Sequence, residues 1–313
     1  MPELSGCRHA AANLSVKADI MFHSTIVLEI LFVLLWNSGF IGAEYGLPYA
    51  GVFTQLFWRY LLLTIILFLY LGAKRRMRWP GWSATAPVFF VGILAHAVWL
   101  SCCLLSIQYG VPAGIVALAV ALQPLTTGAL SGVVAGEPTP IIRWVGLLTG
   151  FIGVALTILA RVSLSDTTPS FAYFIPLGAV AAMTAATLTQ RKLEVQKPEL
   201  IIPLDLSLFY QCLASTLVLA IPAALWEGMV IDPQPVFLGI MAWLILAVSL
   251  CAYGLLFNLI KRIDATREAS LFYLGPPVTM LMAWVAFGDT LQFMDVIGLL
   301  ITGTGVVISQ LQL

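Results

Sequence analysis

The chain has 313 residues, 60% of them hydrophobic and only 10% charged, with 15 Lys and Arg balanced by 15 Asp and Glu, and a mean hydropathy of +0.99. A soluble domain carries about 25% charged residues, so this composition excludes a soluble enzyme, a nucleic-acid binder, a coiled coil and a disordered chain. A bilayer-spanning helix needs about 20 apolar residues, and the length accommodates about ten of them with short loops, so the expected class is an all-α polytopic protein with the lipid bilayer as its solvent.

Residues 1–23 mix Arg8, His9, Lys17 and Asp19 with small residues and read as a cytoplasmic N-terminal tail. No small-residue cleavage site follows a short apolar stretch, so the first apolar run reads as an uncleaved anchor. Apolar runs then fall at about 24–44, 50–72, 83–106, 110–135, 139–160, 170–190, 201–226, 236–260, 265–288 and 292–312. The breaks between them hold most of the charge, as in Lys74-Arg75-Arg76-Met77-Arg78, Gly136-Glu137-Pro138, Arg191 to Pro198 and Lys261-Arg262. With the N-terminus inside, every Lys and Arg falls on the internal side except Arg161, outside, and Arg59, within a span. That bias predicts ten spans and two cytoplasmic termini, because nine or eleven spans would scatter the charges over both sides. Cys102, Cys103, Cys212 and Cys251 lie within apolar runs and Cys7 in the tail; with no Cys-x-x-Cys or metal-like cluster they read as small core residues.

A shift of 152 residues aligns two stretches without a gap. LQPLTTGALSGVVAGE (122–137) meets LGPPVTMLMAWVAFGD (274–289), pairing Pro124 with Pro276, Thr127 with Thr279, Gly136 with Gly288 and Glu137 with Asp289. VGLLTGFIGV (145–154) then meets IGLLITGTGV (297–306). Residues 24–160 and 161–313 are therefore expected to be two five-helix repeats. An odd helix number inverts the second repeat relative to the first, the plan of many secondary transporters. Pro124 and the Pro276-Pro277 pair interrupt the fourth span of each copy, and paired interruptions point to a cavity or, equally, to packing kinks. Gly128, Gly132 and Gly136, with Gly146 and Gly150 on the next helix, read as close-packing faces of a scaffold made by spans 4, 5, 9 and 10, a homodimer contact being a further use of such a face.

An ionisable group at mid-helix costs about 2.5–3.5 kcal/mol on insertion scales. Arg59, well inside the second span with Gln55 a turn away, offers a planar fork suited to a carboxylate. It would bind an anionic group of a substrate, form an internal pair that breaks during transport, or make a fixed contact to carbonyls or Glu29. A stripe on the first span holds Glu29, Val33, Trp36, Asn37, Phe40 and Glu44. Trp36 and Asn37 are candidates for lining a pocket, and Glu29 either snorkels to the cytoplasmic surface or couples protons. His96, with Trp99 on its face, is either a proton relay or an imidazole satisfied by a neighbour. Gln123, Tyr210, Tyr253 and Tyr273 complete a candidate polar lining.

Trp36-Asn37-Ser38-Gly39-Phe40, Arg59-Tyr60 and the two Pro…Gly-Glu/Asp boxes, each followed by a Gly-Leu-Leu helix, resemble the drug/metabolite transporter superfamily, in its ten-helix EamA-type branch. The resemblance runs from about residue 24 to the end. It implies a 5+5 inverted-repeat bundle that exports a small metabolite, an amino acid or similar compound, across a bacterial inner membrane, with no cofactor. The chain departs from the pattern in having Asp289 where Glu is common, and Met183-Thr184-Ala185 where the sixth span often carries Trp. The alternatives are a cation carrier or channel, which needs acidic rings or a carbonyl filter, and a non-transporting membrane assembly protein. An intramembrane enzyme would need paired carboxylates, a nucleophile–base pair or metal ligands, none of which has its motif here; no Walker motif is present either.

Overall fold

The computed structural model describes residues 3–135, 140–164, 168–260, 262–263 and 271–310, with side chains from 25–131, 140–163, 168–259, 262–263 and 271–309. Glu137 of the first Pro…Gly-Glu box, Lys261, Arg267 and the tail side chains fall outside that set. Among the described residues eight helices have the length and apolarity to cross a membrane: α1 Thr25–Gly46, α2 Val52–Ala73, α3 Trp82–Gln108, α4 Ala113–Ser131, α5 Ile141–Ser163, α6 Ser170–Gln196, α7 Leu204–Leu225 and α8 Pro235–Leu259. Two shorter apolar helices follow, α9 Leu271–Phe287 and α10 Phe293–Ser309. Helix is what hydrocarbon demands, since each backbone N–H must find its carbonyl within the segment. Hydroxyls obey the same rule: Thr64, Thr126, Thr187 and Thr216 each donate to the carbonyl four residues back. Among the described residues the one extended pairing is the bridge between Ala50 and Ile231.

The helices pack in exchanged pairs. α1 lies against α8 and α9, and α6 against α3 and α4; α2 meets α7, α4 meets α9, and α5 meets α10. Renaming α1–α5 as α6–α10 and the reverse leaves this neighbour scheme unchanged. Single atoms repeat the exchange. Thr64 and Thr216, 152 positions apart, face each other at 3.4 Å. A Cβ on Gly146 would sit 2.6 Å from the Gly305 carbonyl oxygen, and one on Gly153 would sit 2.6 Å from that of Gly298. Both contacts link a glycine to the repeat equivalent of the other. The α5–α10 seam is thus backbone on backbone, the close approach that small residues permit in lipid. Gly150 packs on Leu125, whereas a Cβ on Gly128 would meet nothing within 4 Å, so the Cβ side of Gly128 is open. Cys103 and Cys212 are buried and Cys102 is half-buried, but Cys251 is exposed and is not the core residue expected of it.

Two acidic residues outside the sequence reading hold helix ends. Asp295, fully buried, pairs with Arg161 of α5 and accepts the Gln292 N–H at 2.8 Å. Glu227, between α7 and α8, accepts the Phe53 and Thr54 N–H groups at 3.1 and 2.6 Å, capping α2, which has only Gly51 in front of it. Gly288 ends α9 in the left-handed conformation at φ +74°, which suits glycine. Beside it, burial pushes the Asp289 carboxyl above the usual carboxylate range while the Arg161 guanidinium pulls it back.

Removing one partner of a buried ion pair strands the other, at about 3–5 kcal/mol. Asp295→Ala is expected to lower the thermal unfolding temperature of the detergent-solubilised protein markedly, and the double replacement Asp295→Leu with Arg161→Met to recover most of the loss. Equal destabilisation by the single and double variants would contradict the pairing.

Candidate functional site

A cavity of about 100 Å³ lies where the two halves meet. Its lining comes from α1 (Trp36, Gly39, Phe40), α2 (Arg59, Tyr60, Leu63, Leu67) and α3 (Ala95, His96, Trp99, Leu100, Leu104) on one side. The other side comes from α6 (Met183), α7 (Leu208, Cys212) and α8 (Val248, Ser249, Leu250, Tyr253). Helices α4, α5, α9 and α10 contribute nothing to it, which leaves them as the supporting frame.

The polar groups of the cavity form two hydrogen-bonded pairs. Arg59 is 6% exposed, and its Nε and Nη2 both donate to Ser249 Oγ at 3.1 and 2.8 Å. His96 Nε2–H donates to Gln211 Oε1 at 3.0 Å, and Gln211 Nε2 donates on to Ser207 Oγ at 3.1 Å. Arg59 and Gln211 stand 152 positions apart, the repeat interval, and Ser249 is one position beyond the repeat equivalent of His96. One contact therefore joins α2 to α8 and its counterpart joins α7 to α3, with a cation on the first side only.

Among the described residues both π-helical stretches lie here. Ile93–Val98 carries His96 in α3, and Trp243–Ala252 carries Val248 and Ser249 in α8. The wider turn re-aims side chains and is frequent at functional sites. Close packing holds the first stretch: Ser215 Oγ donates to the Gly92 carbonyl at 3.0 Å, and a Cβ on Gly92 would sit 2.5 Å from Gln211 Cα. Aromatic rings supply the walls. Trp36 lies 5.2 Å from Tyr253, Tyr60 5.4 Å from His96 and Phe40 6.1 Å from Trp99, centroid to centroid.

Of the residues expected from sequence, the cavity brings together Trp36, Arg59, His96, Trp99 and Tyr253. It does not include Asn37, Gln123, Tyr210 or Tyr273. Asn37 turns toward α9, accepting from Thr279 Oγ1 at 3.0 Å and donating to the Val33 carbonyl at 2.7 Å. Gln123 reaches Thr127 at 3.4 Å along its own helix. Tyr210 donates to the Arg78 carbonyl at 2.9 Å, with its ring 5.7 Å from that of Trp79, at the α2–α3 loop. Tyr273 packs against the main apolar core. Glu29 is buried on α1 away from the cavity, and Gln55 donates to the Ala43 carbonyl at 3.2 Å. The helix breaks fall at Ala121, three residues before Pro124, and at Leu274, two before Pro276 and three before Pro277. Those prolines start the helical segments after the breaks, and neither break lines the cavity. Ser249 and Leu208 are lining residues that the sequence did not single out. The repeat shift applied to His96 would have pointed to the neighbourhood of Ser249.

Among the described residues no group of three or more His, Cys, Asp and Glu is placed to hold a metal ion. The fold and cavity define a multi-pass helical membrane protein with a small, aromatic-walled site between two similar halves. The family model described as the EamA-like transporter family matches residues 23–159 and again 170–310. The chain belongs to that family, within the drug/metabolite transporter superfamily. A solved structure described only as a crystal structure of a protein is similar with a TM-score of 0.61 at 19% identity, over 92% of this chain and 96% of its own; at that identity the likeness shows a shared fold. No curated protein matches the chain.

Truncating a buried aromatic wall of a site costs on the order of tenfold or more in affinity. In a binding titration with any solute the protein takes up, Tyr253→Ala is expected to weaken binding by about that factor, whereas Gln123→Ala leaves it within about twofold. Equal effects of the two variants would place the site elsewhere.

Proposed function

We propose that the chain is a secondary transporter that moves a small polar or amphipathic metabolite, an amino acid or related compound, by alternating access in the export direction. The observation that carries this reading is the cavity at the seam, lined from α1–α3 on one side and α6–α8 on the other. Ten spans in two five-helix repeats, 24–160 and 161–313, give the second repeat the inverted orientation. The exchanged packing pairs support that arrangement. Two copies of one shape facing opposite ways can trade conformations, and the trade opens a site between them to one side and then the other. The bias of Lys and Arg places both termini in the cytoplasm, and the membrane is the bacterial inner membrane. Trp36, Trp99 and Tyr253 hold the apolar body of the solute and Arg59 its polar head, with His96 beside it. The packing frame α4, α5, α9 and α10 stays fixed while the cavity helices rock, and a homodimer would use its lipid-facing side.

A cation carrier would place acidic groups along the path; none lines this cavity. In liposomes holding purified protein, a metabolite panel run with and without a pH gradient is expected to find solute-specific flux. Arg59→Ala is expected to reduce that flux by about tenfold or more while inserting into the membrane at parental levels. Unimpaired flux in Arg59→Ala would refute the role of the cavity in transport.

A further inference from the structure

Among the described residues no carboxylate balances the charge of Arg59. The guanidinium is buried among apolar and aromatic side chains, and no carboxylate of the described residues lies within ion-pair distance. Its partner is a neutral hydroxyl, Ser249, which takes the Nε and one Nη2 donor. Five N–H groups in a planar fork match a carboxylate in two-point contact, and a buried cation left with one hydroxyl is costly unless an anion completes it. The other charged pair inside the bundle shows the contrast: Arg161 has Asp295 for that purpose.

The repeat fixes how many charges the missing partner carries. The counterpart of Arg59 in the second half is Gln211, a neutral residue already engaged with His96 and Ser207. The cavity therefore holds one cationic fork, not two. It also has no Asp or Glu in its lining to receive an ammonium group. The remaining walls include Trp36, Phe40, Trp99, Tyr253 and leucines, with His96 already engaged by Gln211, around a volume of about 100 Å³.

Resting on the transporter reading and narrowing it, we infer that the site takes a compact organic monoanion: one carboxylate on the Arg59 fork opposite Ser249, an apolar body against the aromatic walls, and no ammonium group. Dianions lack a second cation, and zwitterions and amines must leave an ammonium unpaired among apolar groups.

Four solutes built on one isobutyl body separate these cases: 4-methylpentanoate (monoanion), leucine (zwitterion), isobutylmalonate (dianion) and 3-methylbutylamine (cation). In calorimetric titration of the purified full chain, 4-methylpentanoate is expected to bind at least about tenfold more tightly than the other three. Arg59→Gln is expected to lose that preference and about tenfold or more of the affinity. Without solute, its unfolding temperature should be no lower than that of the parent, because an uncompensated charge has been removed. Gln123→Ala, outside the cavity, is expected to retain both the affinity and the monoanion preference. The inference is overturned if leucine binds as well as 4-methylpentanoate or if none of the four binds at about 10 mM. It is equally overturned if Arg59→Gln keeps the affinity, unfolds at lower temperature or does not fold, or if Gln123→Ala loses the preference. Labelled 4-methylpentanoate exchange in liposomes at alkaline pH keeps the two readings apart. Arg59-dependent binding without exchange would sink transport and leave the monoanion site standing; exchange of amines or zwitterions with equal efficiency would sink the monoanion site and leave transport standing.

Discussion

A guanidinium does not stay in hydrocarbon without polar company, and the position of Arg59 depends on that constraint. It is kept in the bundle by a seam between two halves, where α8 brings up Ser249 and the rings of Trp36, Tyr60 and Tyr253 exclude lipid. Without the seam the charge would face acyl chains. With it, the charge becomes the one Arg or Lys side chain among the described residues lining the hollow. Fold and site are the same fact seen at two scales: packing the halves against each other creates surroundings in which this side chain is tolerable.

The pairing of the halves is written most plainly in contacts that map onto themselves. Thr64 meets Thr216, and Gly146 and Gly153 meet Gly305 and Gly298. Near the cavity the backbone symmetry persists, since both α3 and α8 loosen into π-helix at equivalent depth. The side chains diverge there. Arg59 with Ser249 faces Gln211 with His96, so the exchange of conformations that equivalent backbones allow would carry a charge across the seam in one direction only. Packing positions preserve the repeat because a glycine contact tolerates no Cβ.

Much of this was legible in the sequence, for reasons of composition. Spans announce themselves because lipid admits only apolar surface, and the repeat announces itself through glycines and prolines whose backbone roles leave few substitutes. Arg59 stood out as a charge in hydrocarbon. What stayed hidden depends on side-chain direction or on contacts distant in sequence. Asn37 adjoins Trp36 but points a third of a helical turn away, to Thr279. Tyr210 adjoins Gln211 but reaches the α2–α3 loop. Ser249 resembles every other membrane hydroxyl until Arg59 is placed against it. The π-helical stretches carry no proline to mark them, and the roles of Asp295 and Glu227 exist only once α5 and α2 arrive beside them. The prolines left a cavity and a packing kink equally open, and both breaks lie in the frame around the cavity.

The central claim is that the halves rock about the seam that holds Arg59. Pulsed electron–electron distance measurements on two spin-label pairs test it directly in lipid nanodiscs. One pair spans the ends joined by the Ala50–Ile231 bridge, and the other the opposite ends, near Arg76 and Asp205. On adding a transported solute, the account predicts that one distance distribution lengthens as the other shortens. Two distributions that stay fixed, or that move in the same sense, would contradict it.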